Sequence, residues 1–94
     1  MAELPSATGT FEIVNTLGLH ARAATKLVQL ASRHRADVEL ELDGQRANAK
    51  SVMGVLLLAC GMGSRLIVRA TGEDAVAAVD AIGALIASRF GEDQ

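Results

Sequence analysis

The sequence predicts an α+β fold, an open-faced β-sandwich in the order βαββαβα, with a four-stranded antiparallel sheet and three helices on one face. Three observations lead there. Runs with a period of two alternate with runs of helical period, in that order along the chain. The chain has 94 residues, half of them apolar, with two Phe and no Tyr or Trp, so it can bury a single layer of Leu, Val, Ile and Ala. Asp43-Gly44, between two strand-like runs, is a strong signal for a tight hairpin.

Residues 1–9 carry Pro5, Ser6, Thr8 and Gly9 and read as a flexible N-terminal extension. One domain is expected over residues 10–90, with a C-terminal tail over 91–94. Residues 10–15, rich in β-branched and aromatic side chains, form the first expected strand. From residue 21 to about 34 the period becomes helical, with Ala24, Leu27, Val28 and Ala31 on one face. Arg33, His34 and Arg35 complement the negative end of that helix.

Residues 37–43 alternate cleanly, Val38, Leu40 and Leu42 against Asp37, Glu39, Glu41 and Asp43, and lead through the hairpin into a strand over 45–50. Ser51 then caps a short helix in the apolar run 52–60, with glycine at its exit through Gly61 and Gly63. Residues 65–71 make the fourth strand. Arg65 and Arg69 on it are placed to offset the acidic row of the second strand if the two are neighbours. Gly72-Glu73-Asp74 opens the last helix with acids in its first turn, and Val76, Val79, Ile82, Gly83, Ile86 and Phe90 form its buried stripe.

Composition narrows the function. A formal net charge of −2, without a basic face or stacking aromatics, argues against a nucleic-acid partner. The single Cys60 has no internal disulfide partner, which suits a reducing compartment. Neither a signal sequence nor a run near the roughly 20 apolar residues of a membrane span is present. A monomeric cytoplasmic domain without membrane contact is therefore expected. No cofactor is expected, and no metal either, because His20 and His34 lack further ligands at useful spacing.

The stretch Gly18-Leu19-His20-Ala21-Arg22-Ala23-Ala24 is the most restrictive part of the chain. Histidine changes its protonation near neutrality and serves as nucleophile, base or proton carrier. The first turn of a helix offers unpaired backbone N–H groups and a partial positive charge, here from Ala21 and Arg22, and both favour an anion. The planar guanidinium of Arg22 suits phosphate oxygens. Together these groups can hold a phosphoryl group on His20, whose neutral ring nitrogen is the attacking atom. The plain alternative is a capping histidine without chemistry.

Two motifs carry a resemblance. Gly18-Leu19-His20-Ala21-Arg22 is similar to the phosphoacceptor loop of HPr, the histidine-containing phosphocarrier family of the bacterial phosphotransferase system. Lys50-Ser51-Val52-Met53-Gly54-Val55 is similar to the stretch that opens its second helix with a regulatory serine. The resemblance covers about residues 10–90. It implies phosphorylation of His20 at Nδ1 by enzyme I with phosphoenolpyruvate, then transfer to an IIA-type acceptor, with Arg22 orienting phosphate oxygens. Ser51 is implied as the substrate of an HPr kinase/phosphorylase, and Val52, Met53 and Leu56 as a partner-docking patch. The protein is then a carrier rather than a turnover enzyme on its own.

Ala23 stands where sugar-transport members of the family usually have proline, which makes the motif look more like the nitrogen-regulatory branch. Two readings compete with the carrier. One is a regulatory protein that acts through Ser51 phosphorylation and partner binding. The other is an unrelated ligand or assembly domain with a ferredoxin-like layout, in which His20 would be dispensable.

Overall fold

The computed structural model describes residues 4–94. Its elements are β1 (Ser6–Glu12), α1 (Ala21–Ser32), β2 (Asp37–Leu42), β3 (Gln45–Asn48), α2 (Val52–Leu57), β4 (Arg65–Thr71) and α3 (Ala75–Ala87), then a 3-10 turn at Arg89–Gly91. The sheet runs β1-β4-β2-β3 and every neighbouring pair is antiparallel. Three helices cover one face, and the order is the βαββαβα expected from the sequence.

The period-two run over 37–43 shows how the sheet earns its two faces. Val38 and Leu40 are buried, and Leu42 packs partly against the core. On β4, Leu66, Val68 and Ala70 point the same way. Each fully buried Leu or Val contributes about 1.5–3 kcal/mol over an exposed one. The uncovered face carries charge: Glu39 registers with Arg69, whose Nη1 donates to Glu41 Oε1 at 2.6 Å. Arg65 does not join that row, because the β2–β4 pairing ends at Glu41–Ile67 and Arg65 registers only with Glu12 of β1. Asp43 and Gly44, at φ 51° and 84°, form the two-residue turn that joins β2 to β3.

In α1 the inward stripe is Ala23, Ala24, Leu27, Val28 and Ala31. The helix stops at Ser32, and His34 serves its C-terminal end through Nδ1, 3.1 Å from the Leu30 carbonyl.

Several expectations are corrected. Ser6–Gly9, read as part of a loose extension, pair with Val68–Thr71 in an edge strand, and the Pro5 carbonyl accepts the Gly72 N–H at 2.8 Å; residues 1–3 of that expectation lie outside the described residues. Ile13 to Asn15 leave the sheet. The helix in the run 52–60 ends at Leu57, because Ala59, rather than a glycine, takes the left-handed conformation with φ 54°. The acids before α3 lie ahead of its first turn. There the Asp74 carboxylate accepts the Arg35 and Ala36 N–H groups at 2.9 and 2.8 Å and so ties the entry of β2 to the start of α3. Val76 is exposed: Ala75, Ala78 and Val79 begin the inward stripe, and Val76 lies about 100° round the helix from Ala75. The tail over 91–94 lies back on the domain, where Thr16 N–H donates to the Gln94 carbonyl at 3.1 Å.

Candidate functional site

The loop between β1 and α1 is threaded against the exit of α2. Ile13 N–H donates to the Ser64 carbonyl at 2.9 Å, and Gly63 N–H donates back to Ile13 at 2.7 Å. Further on, Leu19 N–H donates to the Cys60 carbonyl at 2.9 Å. Gly18 makes that approach feasible: its φ is +66°, and a Cβ there would lie 2.4 Å from the Cys60 oxygen. Buried Leu19 then fixes the last step before the helix. The motif glycine is thus a matter of space and backbone conformation, and its result is the position of His20.

His20 is the N-cap of α1, with extended backbone at φ −73° and ψ 179°. Its Nδ1 accepts the Arg22 N–H at 3.3 Å, and its Nε2 lies 2.5 Å from Glu92 Oε2. A carboxylate only accepts and a backbone N–H only donates. Both contacts are therefore met by one tautomer, with the proton on Nε2 and a lone pair on Nδ1. The side chain is 29% exposed and borders an open pocket lined also by Thr16, Leu17, Ala21, Arg22 and Glu92.

Glu92 was not among the residues singled out from sequence. Its Oε1 accepts from Asn15 Nδ2 at 3.0 Å, and the same amide donates to the Gly18 carbonyl at 2.9 Å. Both neighbours of that amide are acceptors, so its NH₂ end must face them. Asn15 Oδ1 is left without a partner among the described residues. Hydrogen bonds from His20 and then Asn15 hold the Glu92 carboxyl below its ordinary range, against the opposing effect of burial. No local motif marks a glutamate in a chain end. The only hint was buried Phe90, which brings the segment back to the core.

Arg22 and Ala21 open α1 on the exposed side of the pocket, as the motif placed them. Ser51 caps α2 by accepting the Gly54 N–H at 3.1 Å. Val52 and Met53 beside it are exposed, Met53 by 68%, whereas Leu56 is partly buried against the core. The exposed apolar surface includes three residues absent from the expected docking patch: Leu57, Leu17 and Met62. An apolar side chain in a polar turn was the signal for Leu17.

Other reactive groups are occupied structurally. The Cys60 thiol is buried and pushed up to about 11, first by burial and then by the Asp43 charge. A second concavity on the open sheet face contains Glu39, Arg46 and Arg69, whose charges already pair within the sheet. Among the described residues, no three His, Cys, Asp or Glu side chains are grouped to hold a metal. No described helix is long and apolar enough to cross a membrane.

Fold and site together define a class: a small open-faced sandwich that presents a histidine at the head of a helix, as phosphohistidine carriers do. Residues 7–88 match the family model for the PTS HPr component phosphorylation site. Phosphocarrier protein HPr of Cupriavidus necator is 49% identical over 82 residues, covering 87% of this chain and 92% of that protein. Phosphocarrier protein NPr of Shewanella violacea is also 49% identical, over 80 residues, covering 85% and 88%. A crystal structure of HPr from Thermoanaerobacter tengcongensis superposes with a TM-score of 0.90 at 40% identity, covering 94% of this chain and 99% of that one. The chain belongs to the HPr family, the phosphocarriers of the phosphotransferase system.

Proposed function

We propose that His20 is the phosphoacceptor, taking a phosphoryl group on Nδ1 from enzyme I charged by phosphoenolpyruvate and passing it to an IIA-type acceptor. The observation that supports this most is the division of labour on the ring. Nε2 is held by a carboxylate, while Nδ1 keeps its lone pair at the positive end of α1 beside an open pocket. Arg22 N–H, which now donates to Nδ1, is placed to turn to a phosphate oxygen once the N–P bond forms, with its guanidinium as a second donor. We read the protein as a cytoplasmic monomer. The exposed Val52 and Met53, with Leu56 behind them, receive its partners in turn; methionine adapts to differing surfaces.

The test is incubation with enzyme I and phosphoenolpyruvate. Acid-labile, base-stable phosphate is expected on the wild-type protein and not on His20→Ala. Failure of labelling with several enzyme I homologues overturns the proposal.

Ser51 supports a second layer. Its hydroxyl heads α2 next to exposed Val52 and Met53, where a phosphate of about −2 charge suits the helix end and repels an acidic partner surface. An HPr kinase/phosphorylase is the enzyme class to test on it. Relatives named HPr and NPr match at equal identity, so the pathway served rests on Ala23, which favours nitrogen regulation over sugar uptake.

A further inference from the structure

We infer that Glu92 is a positioning residue for phosphoryl transfer: its carboxylate keeps the His20 proton on Nε2 and so reserves Nδ1 for the phosphoryl group. The inference rests on the reading of His20 as phosphoacceptor and adds the group that aims it.

The geometry is specific on both sides of the carboxylate. Oε2 meets His20 Nε2 at 2.5 Å, and Oε1 is held by Asn15, a wholly buried side chain whose amide also ties down Gly18. Glu92 therefore joins the ring to the loop that presents it. The segment carrying Glu92 is itself fastened. Phe90 is fully buried, and Lys26 of α1 donates to the Phe90 carbonyl at 2.6 Å. Arg89, Phe90 and Gly91 take successive left-handed conformations at φ 59°, 55° and 76°. Non-glycine residues persist there only where the surroundings over-determine the backbone. The result is a chain reversal that returns Glu92 to the head of α1.

The chemistry balances without another base. The Nδ1 lone pair forms the N–P bond as the bond from phosphorus to the donor atom breaks, and that electron pair leaves with the donor. The ring becomes a cation that retains its Nε2 proton, and Glu92 offsets the new charge. In the onward step the acceptor attacks phosphorus, the N–P electrons return to Nδ1, and the ring is neutral again. The proton stays on Nε2 throughout. A buried carboxylate fixes the imidazole of a serine protease by the same logic.

The test reads the ring and the transfer separately. ¹⁵N NMR of the unphosphorylated protein reports the His20 tautomer in wild type, Glu92→Gln and Glu92→Ala. Wild type is expected as the Nε2–H form. Glu92→Gln retains that form because its amide oxygen also accepts, whereas Glu92→Ala gives a mixture. With enzyme I and phosphoenolpyruvate, Glu92→Gln should turn over about tenfold more slowly at nearly unchanged KM, from loss of the compensating charge. Glu92→Ala should lose about 10–100-fold. An unchanged tautomer in Glu92→Ala, or wild-type rates in both variants, overturns the role of Glu92 alone. Wild-type protein that takes no phosphoryl group overturns the phosphoacceptor reading, and the transfer role falls with it.

Discussion

Two helices of this protein begin on a side chain that accepts a backbone N–H, and they are held to very different degrees. His20 heads α1, whose inward stripe of five residues is buried, and its ring is gripped from the opposite side by Glu92 and, through it, Asn15. Ser51 heads α2, which spans six residues and fully buries only Val55, and among the described residues its hydroxyl has one hydrogen bond, from the Gly54 N–H. The same capping device thus serves two ends. On the proposed reading of His20 as nucleophile, the pinning of its cap from several parts of the chain gives the ring one fixed orientation. On the proposed reading of Ser51 as a kinase substrate, its hydroxyl stands open on a small, lightly held helix.

The comparison is sharpest where the pinned cap is removed. His20→Ala is expected to abolish acid-labile labelling by enzyme I, whereas Ser51→Ala labels at close to the wild-type rate. Equal losses in the two variants would erase the distinction. Next in size is Phe90→Ala, which empties a fully buried site and is expected to cost about 3–5 kcal/mol in urea unfolding. Its NMR shifts should move the His20 ring and leave the Ser51 and Gly54 amides in place. Gly18→Ala puts a Cβ against the Cys60 carbonyl in a left-handed conformation, a backbone penalty of about 1–2 kcal/mol before the clash is counted. That variant should both melt earlier and label more slowly.

Smaller effects separate the helix ends further. Ser51→Ala should lower stability by about 1 kcal/mol, the worth of a cap, while Ser51→Asp keeps the cap and slows transfer through its charge. Acid titration is the mildest probe. Glu92 and Glu41 both have folded-state pKa values lowered from 4.5, Glu92 chiefly by His20 and Glu41 chiefly by Arg69. A carboxyl lowered on folding contributes stability that is present above its unfolded value and is lost as pH falls through its folded one. Glu92→Gln and Glu41→Gln should each flatten the acid limb of a pH–stability curve, and Glu41→Gln should do so without altering the His20 ring.

Much of this was legible in local sequence because local rules sufficed. Asp43-Gly44 and the alternation around it define a hairpin from neighbouring residues alone, and the period of α1 announces its inward stripe. Gly18-Leu19-His20 marked the loop, and Ser51 its cap, for the same reason. The misses share a different cause. Ser6–Gly9 contain the residues of a turn and become a strand only because β4 offers a pairing edge. Ala59 is left-handed because the chain must reverse towards Ser64, not because of its own preference. Glu92 meets His20 across 72 residues, a separation at which no spacing rule operates.

That separation also has a place in time. Protein chains emerge from the ribosome N-terminal end first, and folding proceeds as they do. His20 and its loop leave early, and β1 must wait for β4 before it is paired. The carboxylate that orients the ring arrives after every strand and helix has been made. A chain released just short of residue 92 would hold the whole sheet and the histidine, yet lack what aims it. For this protein, every strand and helix is encoded ahead of the residue that completes the site.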